Sequence, residues 1–269
     1  GQGGNRQQSL RLAGLTRDLC AALDNGHSCL QSEFLDRLQD YRSPIMVPAA
    51  QALQHIAPLV LESKRLYLYR YWWDEYRLAQ AIKQLNRHIP VALPETDIQK
   101  ICLGTHDKQQ QAIRCALQRG FSVITGGPGT GKTFTLVRIL LALLQQEPHL
   151  RVALAAPTGK AAARMQEALR QSLAQLPISQ QLSEALPKTA FTLHRLLGMG
   201  HNTQPKFNAQ QPLAYDLIII DEASMIDLRM ASQLLSAIHP QARVILLGDA
   251  NQLAAVEAGA VLAEIGKAQ

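Results

Sequence analysis

The sequence has 269 residues, of which 47% are hydrophobic and 18% are charged, a composition that predicts a globular chain of one or two domains. The formal net charge of +6 is compatible with an acidic polymer as partner, but many basic proteins bind none. No apolar run approaches the roughly 20 residues of a membrane-spanning helix, and no signal peptide is apparent, so we expect a cytoplasmic protein. Four cysteines without a CxxC pair argue against a zinc site or a disulfide framework.

The first part of the chain reads mainly as short helices. Apolar residues recur at helical spacing between Leu10 and Leu23, and prolines interrupt the pattern further on. The segment RLYLYRYWW, Arg65 to Trp73, is dense in aromatic and aliphatic residues, which favours a strand or hairpin, with a helix after it. The two prolines of IPVALPETD, Ile89 to Asp97, indicate a linker between two domains. We therefore predict a small, mainly helical N-terminal domain over residues 1–104.

From residue 105 to residue 269 the pattern becomes strand, loop and helix in repetition. The apolar runs do not alternate with polar residues, as expected for strands buried on both faces of a parallel sheet. The predicted strands are Phe121 to Thr125, Val152 to Ala156, Leu217 to Asp221 and Val244 to Gly248, and the predicted helices are Thr133 to Leu144, Lys160 to Leu173, Leu228 to Ile238 and Ala255 to Ile265. This half is predicted to be an α/β domain with a mostly parallel sheet, whose ligands bind at the carboxyl ends of strands.

The stretch VITGGPGTGKTF, Val123 to Phe134, lies at such a strand end and matches the phosphate-binding pattern G-x-x-x-x-G-K-[ST]. Main-chain N–H groups and the helix N-terminus are expected to hold phosphates, Lys132 to reach the β- and γ-phosphates, and the Thr133 hydroxyl to bind Mg²⁺. The alternative is a glycine-rich turn that binds nothing. The candidate nucleotide-binding residues are Gly126, Gly127, Pro128, Gly129, Thr130, Gly131, Lys132, Thr133 and Phe134.

Two adjacent carboxylates follow a later apolar strand, in LIIIDEAS. Successive residues that leave a strand point in different directions, so Asp221 is placed to bind Mg²⁺ while Glu222 accepts the proton of an attacking water. A solvated acidic turn is the ordinary alternative. Together with the phosphate-binding loop, the pair predicts hydrolysis of a nucleoside triphosphate.

Three weaker motifs follow other strands. APTGKAAARM offers Thr158 and Lys160 as donors to a phosphodiester backbone, although a threonine cap on an ordinary helix would look the same. TLHRLLG contains His194, which is equally typical of a helix surface. LLGDANQL contains Gln252, a neutral group able to sense a γ-phosphate, in what is otherwise a polar loop.

The succession GGPGTGKT, APTGKAAAR, TLHRLLG, DEASMID and GDANQLAAVEAGAVL closely resembles the first motor domain of the RecD family, the superfamily 1 helicase subunits of RecBCD enzymes (exodeoxyribonuclease V). The resemblance implies a RecA-like fold and an ATP-dependent motor that moves 5′ to 3′ on single-stranded DNA. It also implies RecB and RecC as partner subunits and DNA ends as substrate in double-strand-break repair.

The resemblance further assigns roles to individual residues. Gln109, in the run QQQ ahead of the loop, becomes the adenine-reading glutamine, with an uncertainty of a position or two. Thr158 and Lys160 become contacts to the DNA backbone, His194 a weaker one, and Gln252 the residue that couples the γ-phosphate to DNA.

Family members carry a second RecA-like domain with an arginine finger, and this chain stops just after the motif that contains Gln252. We therefore interpret it as a fragment that binds ATP but turns it over poorly. Two other classes stay open, a P-loop NTPase acting on a small substrate and a nucleotide-binding subunit without motor activity.

The aromatic segment RLYLYRYWWDEY, Arg65 to Tyr76, has three possible uses. The rings could fill a core, stack on bases of single-stranded DNA, or dock on a partner subunit, for which the resemblance suggests RecC.

Overall fold

The computed structural model describes residues 2–31, 35, 45–90, 93–127, 129–174, 176, 178–200, 204–249, 261 and 265, with side chains from Leu12 onward. Within these residues the chain forms two sheets, one of four strands and one of five. No helix in the described ranges is both long and apolar enough to cross a bilayer.

The N-terminal region combines helices with the four-stranded sheet. The sequence predicted a mainly helical domain with a single strand or hairpin here. Its elements are α1 (Gln2–Asp24), β1 (Leu30–Gln31), β2 (Met46–Pro48), α2 (Ala49–Ala52), β3 (Leu59–Glu62) and β4 (Arg65–Leu68). The strand order is β1-β4-β3-β2, and β3 and β4 form a hairpin in which Glu62 faces Arg65. Ser63 makes the turn at φ 53°. One apolar face of α1, with Leu12 and Leu19, packs on this sheet.

The aromatic segment is only partly a strand. β4 ends at Leu68, and α3 (Tyr69–Arg87) begins directly after it, so the prediction of a strand or hairpin up to Trp73 is wrong beyond Leu68. The spacing that reveals the helix is Tyr69, Trp72, Trp73 and Tyr76, which is i, i+3, i+4 and i+7. These rings lie on one helix face and pack against each other, with the Trp72 and Tyr76 centroids 5.4 Å apart.

Core packing accounts for most of the aromatic side chains. Tyr67 and Trp72 are 1% and 4% exposed in a cluster with the small apolar residues of α2 and β3. Tyr71 points the other way and packs against the core of the larger sheet. That core also contains Leu78, Ala81 and Leu85 of the same helix, so α3 contributes to both hydrophobic cores.

The second part is built on the five-stranded sheet. Its elements are α4 (Glu95–Cys102), α5 (Asp107–Gln118), β5 (Phe121–Thr125), α6 (Lys132–Gln146), β6 (Val152–Ala156), α7 (Gly159–Ala174), α8 (Gln180–Ala185), β7 (Ala190–Thr192), α9 (Leu193–Leu196), β8 (Leu217–Ile220), a short 3-10 helix (Ala223–Met225), α10 (Leu228–Ser236) and β9 (Arg243–Gly248). The strand order is β5-β9-β8-β6-β7, and every neighbouring pair is parallel. The predicted α/β class with a parallel sheet is confirmed.

The strands β5 and β6 have the predicted bounds, whereas β7 was not predicted. Of the helix predicted over Ala255 to Ile265, only Val261 and Ile265 belong to the described residues, so the rest of that prediction lies outside them. The boundary between residues 104 and 105 stays a prediction. α3 and α4, which precede it, both pack against the larger sheet.

Helices cover both faces of the parallel sheet. Ile218 and Ile220 of β8 face a core shared with α3, α9 and α10, while Leu217 and Ile219 face a core shared with α5, α6, α7 and α8. All four side chains are fully buried, which explains why the strand reads as a continuous apolar run. Because the strands are parallel, their carboxyl ends meet at one edge of the sheet.

Candidate functional site

The predicted motif residues that the structure describes line one edge of the five-stranded sheet. Thr125 pairs with Gly248, Ile220 pairs with Leu246, and Ala156 pairs with Thr192, so all five strands end at similar height. With strands about 4.8 Å apart, the edge is about 19 Å long. The phosphate-binding loop lies at one end, the Asp221–Glu222 pair in the middle, and Thr158, Lys160 and His194 towards the other end.

The phosphate-binding loop is a compact turn held to the neighbouring strand. The Gly126 N–H donates to the Gly248 carbonyl at 3.1 Å, and the Thr130 hydroxyl donates to the Gly127 carbonyl at 2.8 Å. A side chain at Gly126 would meet this hydroxyl, because an added Cβ would lie 2.6 Å from it. Gly129 and Gly131 have φ values of 75° and 80°, which turn main-chain N–H groups in the way that anion-binding loops require. Pro128 lies outside the described residues.

Lys132 opens α6 and folds back over the loop. Its Nζ donates to the carbonyls of Gly126 and Gly127, the latter at 3.0 Å. Thr133 lies half-buried in the first turn of the helix. Phe134 is 42% exposed, and the Arg138 guanidinium lies 4.5 Å from its ring centroid. The Lys132 ammonium group is thus held against the main chain of the phosphate-binding loop.

Gln109 is the glutamine that contacts the loop. Its Nε2 donates to the Thr130 carbonyl at 3.2 Å, while its Oε1 accepts from the His106 N–H at the start of α5. Gln110 instead donates to the Thr105 carbonyl. Among the three consecutive glutamines, the structure therefore favours Gln109 for a role beside the nucleotide, although its reading of adenine stays a prediction.

Replacing Gly131 by alanine should weaken nucleotide binding and lower the melting temperature. The new residue would hold a left-handed backbone, at a cost of about 1–2 kcal/mol. Its Cβ would lie 2.5 Å from the Gln109 Nε2 and would displace that side chain from Thr130. Thermal melting with and without nucleotide measures both effects.

Gly159→Ala is the matched control. Gly159 begins α7 and has nothing within 4 Å of an added Cβ, so alanine should leave the melting temperature unchanged or slightly raised. If the two variants behaved alike, the left-handed backbone at Gly131 would be unimportant.

The two carboxylates follow β8, which is separated from the loop strand only by β9. Glu222 has φ 54°, a conformation that is rare for residues other than glycine and concentrated at functional sites. Its N–H donates to the Asp221 Oδ1 at 2.9 Å. Burial raises the pKa of Asp221, while the Glu222 N–H and the charge of Lys132 act in the opposite direction. Asp221 and Lys132 are therefore close enough to interact electrostatically.

Asp249 was assigned no role from the sequence. It follows β9, between the loop and Asp221, and is 7% exposed. Its Oδ2 would lie 3.9 Å from a Cβ on Gly127. The missed signal was a carboxylate directly after a buried strand, the same signal that identified Asp221.

The donor set at this edge fits Mg²⁺ bound together with phosphate. Mg²⁺ is commonly held by one or two carboxylates plus the substrate phosphates, rather than by a cage of protein ligands. In the described part of the chain no three His, Cys, Asp or Glu residues gather into such a cage. Thr133 at the loop and Asp221, whose raised pKa the Lys132 charge partly offsets, would be the hydroxyl and carboxylate for this arrangement.

Thr158, Lys160 and His194 occupy the far part of the edge. The Thr158 hydroxyl accepts from the Ala161 N–H at 3.2 Å, so Thr158 caps α7 in this structure. Lys160 and His194 are exposed, in the first turn of α7 and in α9 respectively. Gln252 lies outside the described residues, so its coupling role stays a prediction.

A family model described as an AAA domain matches residues 109–258, more than half of the chain. The chain belongs to this AAA domain family. The matched residues include the loop, both carboxylates and the weaker motifs, and membership implies nucleotide binding.

Curated relatives of this AAA domain chain confirm the resemblance to RecD. It is 42% identical over 229 residues to the RecBCD enzyme subunit RecD of Haemophilus influenzae, covering 80% of this chain and 36% of that protein. The corresponding subunit of Mycobacterium tuberculosis is 42% identical over 210 residues, covering 76% and 36%. The ATP-dependent RecD2 DNA helicase of Deinococcus radiodurans is 34% identical over 242 residues, covering 87% and 29%. The chain spans about a third of the length of these relatives.

Proposed function

We propose that this chain is the nucleotide-binding motor part of a RecD-type, ATP-dependent 5′–3′ DNA helicase subunit. One observation carries the proposal. The phosphate-binding loop follows β5 and the Asp–Glu pair follows β8, at the same edge of one parallel sheet, in a chain 42% identical to RecD subunits. The wider proposal includes RecB- and RecC-type partner subunits, a cytoplasmic location and action on DNA ends in recombinational repair.

In this proposal the phosphate-binding loop binds the nucleotide, and the Asp221–Glu222 pair binds the metal and activates the water. Main-chain N–H groups of the loop and the N-terminus of α6 bind the phosphates. Lys132 exchanges its two loop carbonyls for the β- and γ-phosphate oxygens. Asp221 and Thr133 would hold Mg²⁺, which would supply positive charge against the phosphates. Glu222 acts as the general base for the attacking water.

Single-stranded DNA is proposed to cross the other end of the same edge. Lys160 and His194 are exposed there, and Lys160 offers a cation without any competing ion pair among the described residues. Contacts of this type bind the sugar-phosphate backbone and carry no base sequence. Gln252 is proposed to report the state of the γ-phosphate to this DNA-binding surface.

DNA binding should be weak and strongly salt-dependent, because the contacts are to phosphates. Lys160→Ala should weaken binding at every sequence and reduce the slope of log affinity against log salt by about 1. Fluorescence anisotropy of labelled oligothymidine at several salt concentrations measures both quantities.

Lys188→Ala is the control for that experiment. Lys188 is exposed but precedes the amino end of β7, at the opposite edge of the sheet, so its loss should leave the slope unchanged. If oligothymidine neither bound nor stimulated ATP hydrolysis, an NTPase with a small substrate would be the better interpretation. Binding without any hydrolysis in the assembled complex would favour a nucleotide-binding subunit without motor activity.

A further inference from the structure

A cavity of about 580 Å³ lies at the edge of the sheet opposite the nucleotide site. It opens between the amino ends of β8 and β9, the last turn of α6 and the residues that follow α3. Arg243, which starts β9, lines it. The strand rises about 3.3 Å per residue, so Arg243 is about 17 Å from Gly248 beside the phosphate-binding loop. The cavity is therefore separate from the nucleotide site.

Arg243 is a buried cation whose hydrogen bonds are incomplete. The residue is 8% exposed, and its Nη1 is buried without a hydrogen-bond acceptor among the described residues. Burial lowers the pKa of Arg243 to about 10, and the charge of Glu147 only partly opposes this. Glu147 is exposed at the rim of the cavity, and no ion pair joins it to Arg243 among the described residues. Burying such a group is costly unless something accepts its hydrogen bonds.

A second donor lines the same cavity. The His239 Nδ1 accepts from the Gln241 N–H at 3.2 Å, so in the neutral ring the proton is on Nε2, which is left to donate. Arg151 and Asp216 also line the cavity, but they neutralise each other through two hydrogen bonds at 2.9 and 2.6 Å. Arg243 is then the arginine of the lining that has no ion-pair partner among the described residues. The pKa of His88 is lowered by burial and then by the charge of Arg243.

We propose that this cavity binds a small molecule that carries an oxyanion, a phosphate or a carboxylate, through Arg243 and His239. Leu143, Leu150 and Leu213 also line the cavity and form an apolar wall for the rest of the ligand. The volume lies within the range of small-molecule sites, which combine apolar walls with a few polar groups.

Titration of the chain with phenyl phosphate and with benzoate, followed by ¹H–¹⁵N NMR, tests the proposal. At least one of the two should bind saturably and shift the amide signals of Arg243, His239 and Leu213, and comparison of the two shows which oxyanion is preferred. Benzyl alcohol, which has the ring without the charge, should not bind. The same affinity for benzoate is expected in the presence of saturating ATP and Mg²⁺, because the phosphate-binding loop takes no part.

Three variants examine the donors and the charge. Arg243→Met should abolish binding without lowering the melting temperature of the ligand-free chain, since it removes a cation that lacks a full set of partners. His239→Ala, at an exposed position, should weaken binding severalfold with the fold intact. Glu147→Gln should tighten binding severalfold by removing a negative charge at the rim. Absence of binding by both oxyanions, or equal binding by Arg243→Met and the unchanged chain, would overturn the proposal.

Discussion

Replacing Lys132 by alanine should reduce the affinity for ATP by about 100-fold or more. The Lys132 Nζ now satisfies two loop carbonyls, and in the complex it would make charged hydrogen bonds to phosphate oxygens. Hydrogen bonds to charged groups are worth about 1.5–3 kcal/mol each, and about 1.4 kcal/mol corresponds to a tenfold change in the dissociation constant. Isothermal titration calorimetry with ATP and Mg²⁺ measures the change.

The fold should survive this substitution, because Lys132 makes its bonds to a surface loop and not to either core. Thermal melting without nucleotide verifies this. Lys108→Ala is a suitable control, since Lys108 is exposed in the first turn of α5 near Gln109 and tests whether any nearby positive charge would serve. An affinity in Lys132→Ala equal to that of the unchanged chain would rule out the assignment of the phosphate-binding loop.

Replacing Glu222 by glutamine should reduce the rate of ATP hydrolysis by about 10²–10⁴ while leaving ATP affinity within a few-fold. The amide keeps the size and the backbone geometry of the side chain but cannot accept the proton of the attacking water, and a positioned general base contributes a factor of this size. Steady-state phosphate release, measured in the complex in which the subunit is active, gives the rate.

Glu184→Gln provides the matched control for the loss of a negative charge. Glu184 is exposed in α8, where it accepts a hydrogen bond from Gln180, so the change should leave hydrolysis unaltered. The assignment of Glu222 as base would fail if Glu222→Gln hydrolysed ATP at the original rate.

The sequence predicted the central strands well because their environment is uniform. β5, β6, β8 and β9 are bordered by helices on both faces, so nearly every position is apolar and the pattern has clear ends. β7 and the strands of the N-terminal sheet are only two to four residues long. Such short strands are stabilised mainly by the strands that they pair with. Pairing between distant segments leaves no periodic signal in the sequence.

The site was predictable in its residues but not in its arrangement. The loop and the Asp221–Glu222 pair each follow an apolar run, yet only the strand order places β9, and with it Asp249, between them. The left-handed backbone of Glu222 also has no sequence signal, because glutamate rarely adopts it. For Thr158 the ordinary interpretation as a helix cap is what the structure contains, while a DNA contact stays a prediction.

One helix joins the two halves of the chain. α3 places Trp72 in the N-terminal core and Leu78, Ala81 and Leu85 in the core beneath β8 and β9. Unfolding of this helix would expose apolar surface in both hydrophobic cores at once. The free energy needed to unfold one half therefore includes the loss of packing in the other half. We therefore expect the two halves to unfold together, and a partner that binds the N-terminal sheet would also load the helix that packs beneath the Asp221 strand.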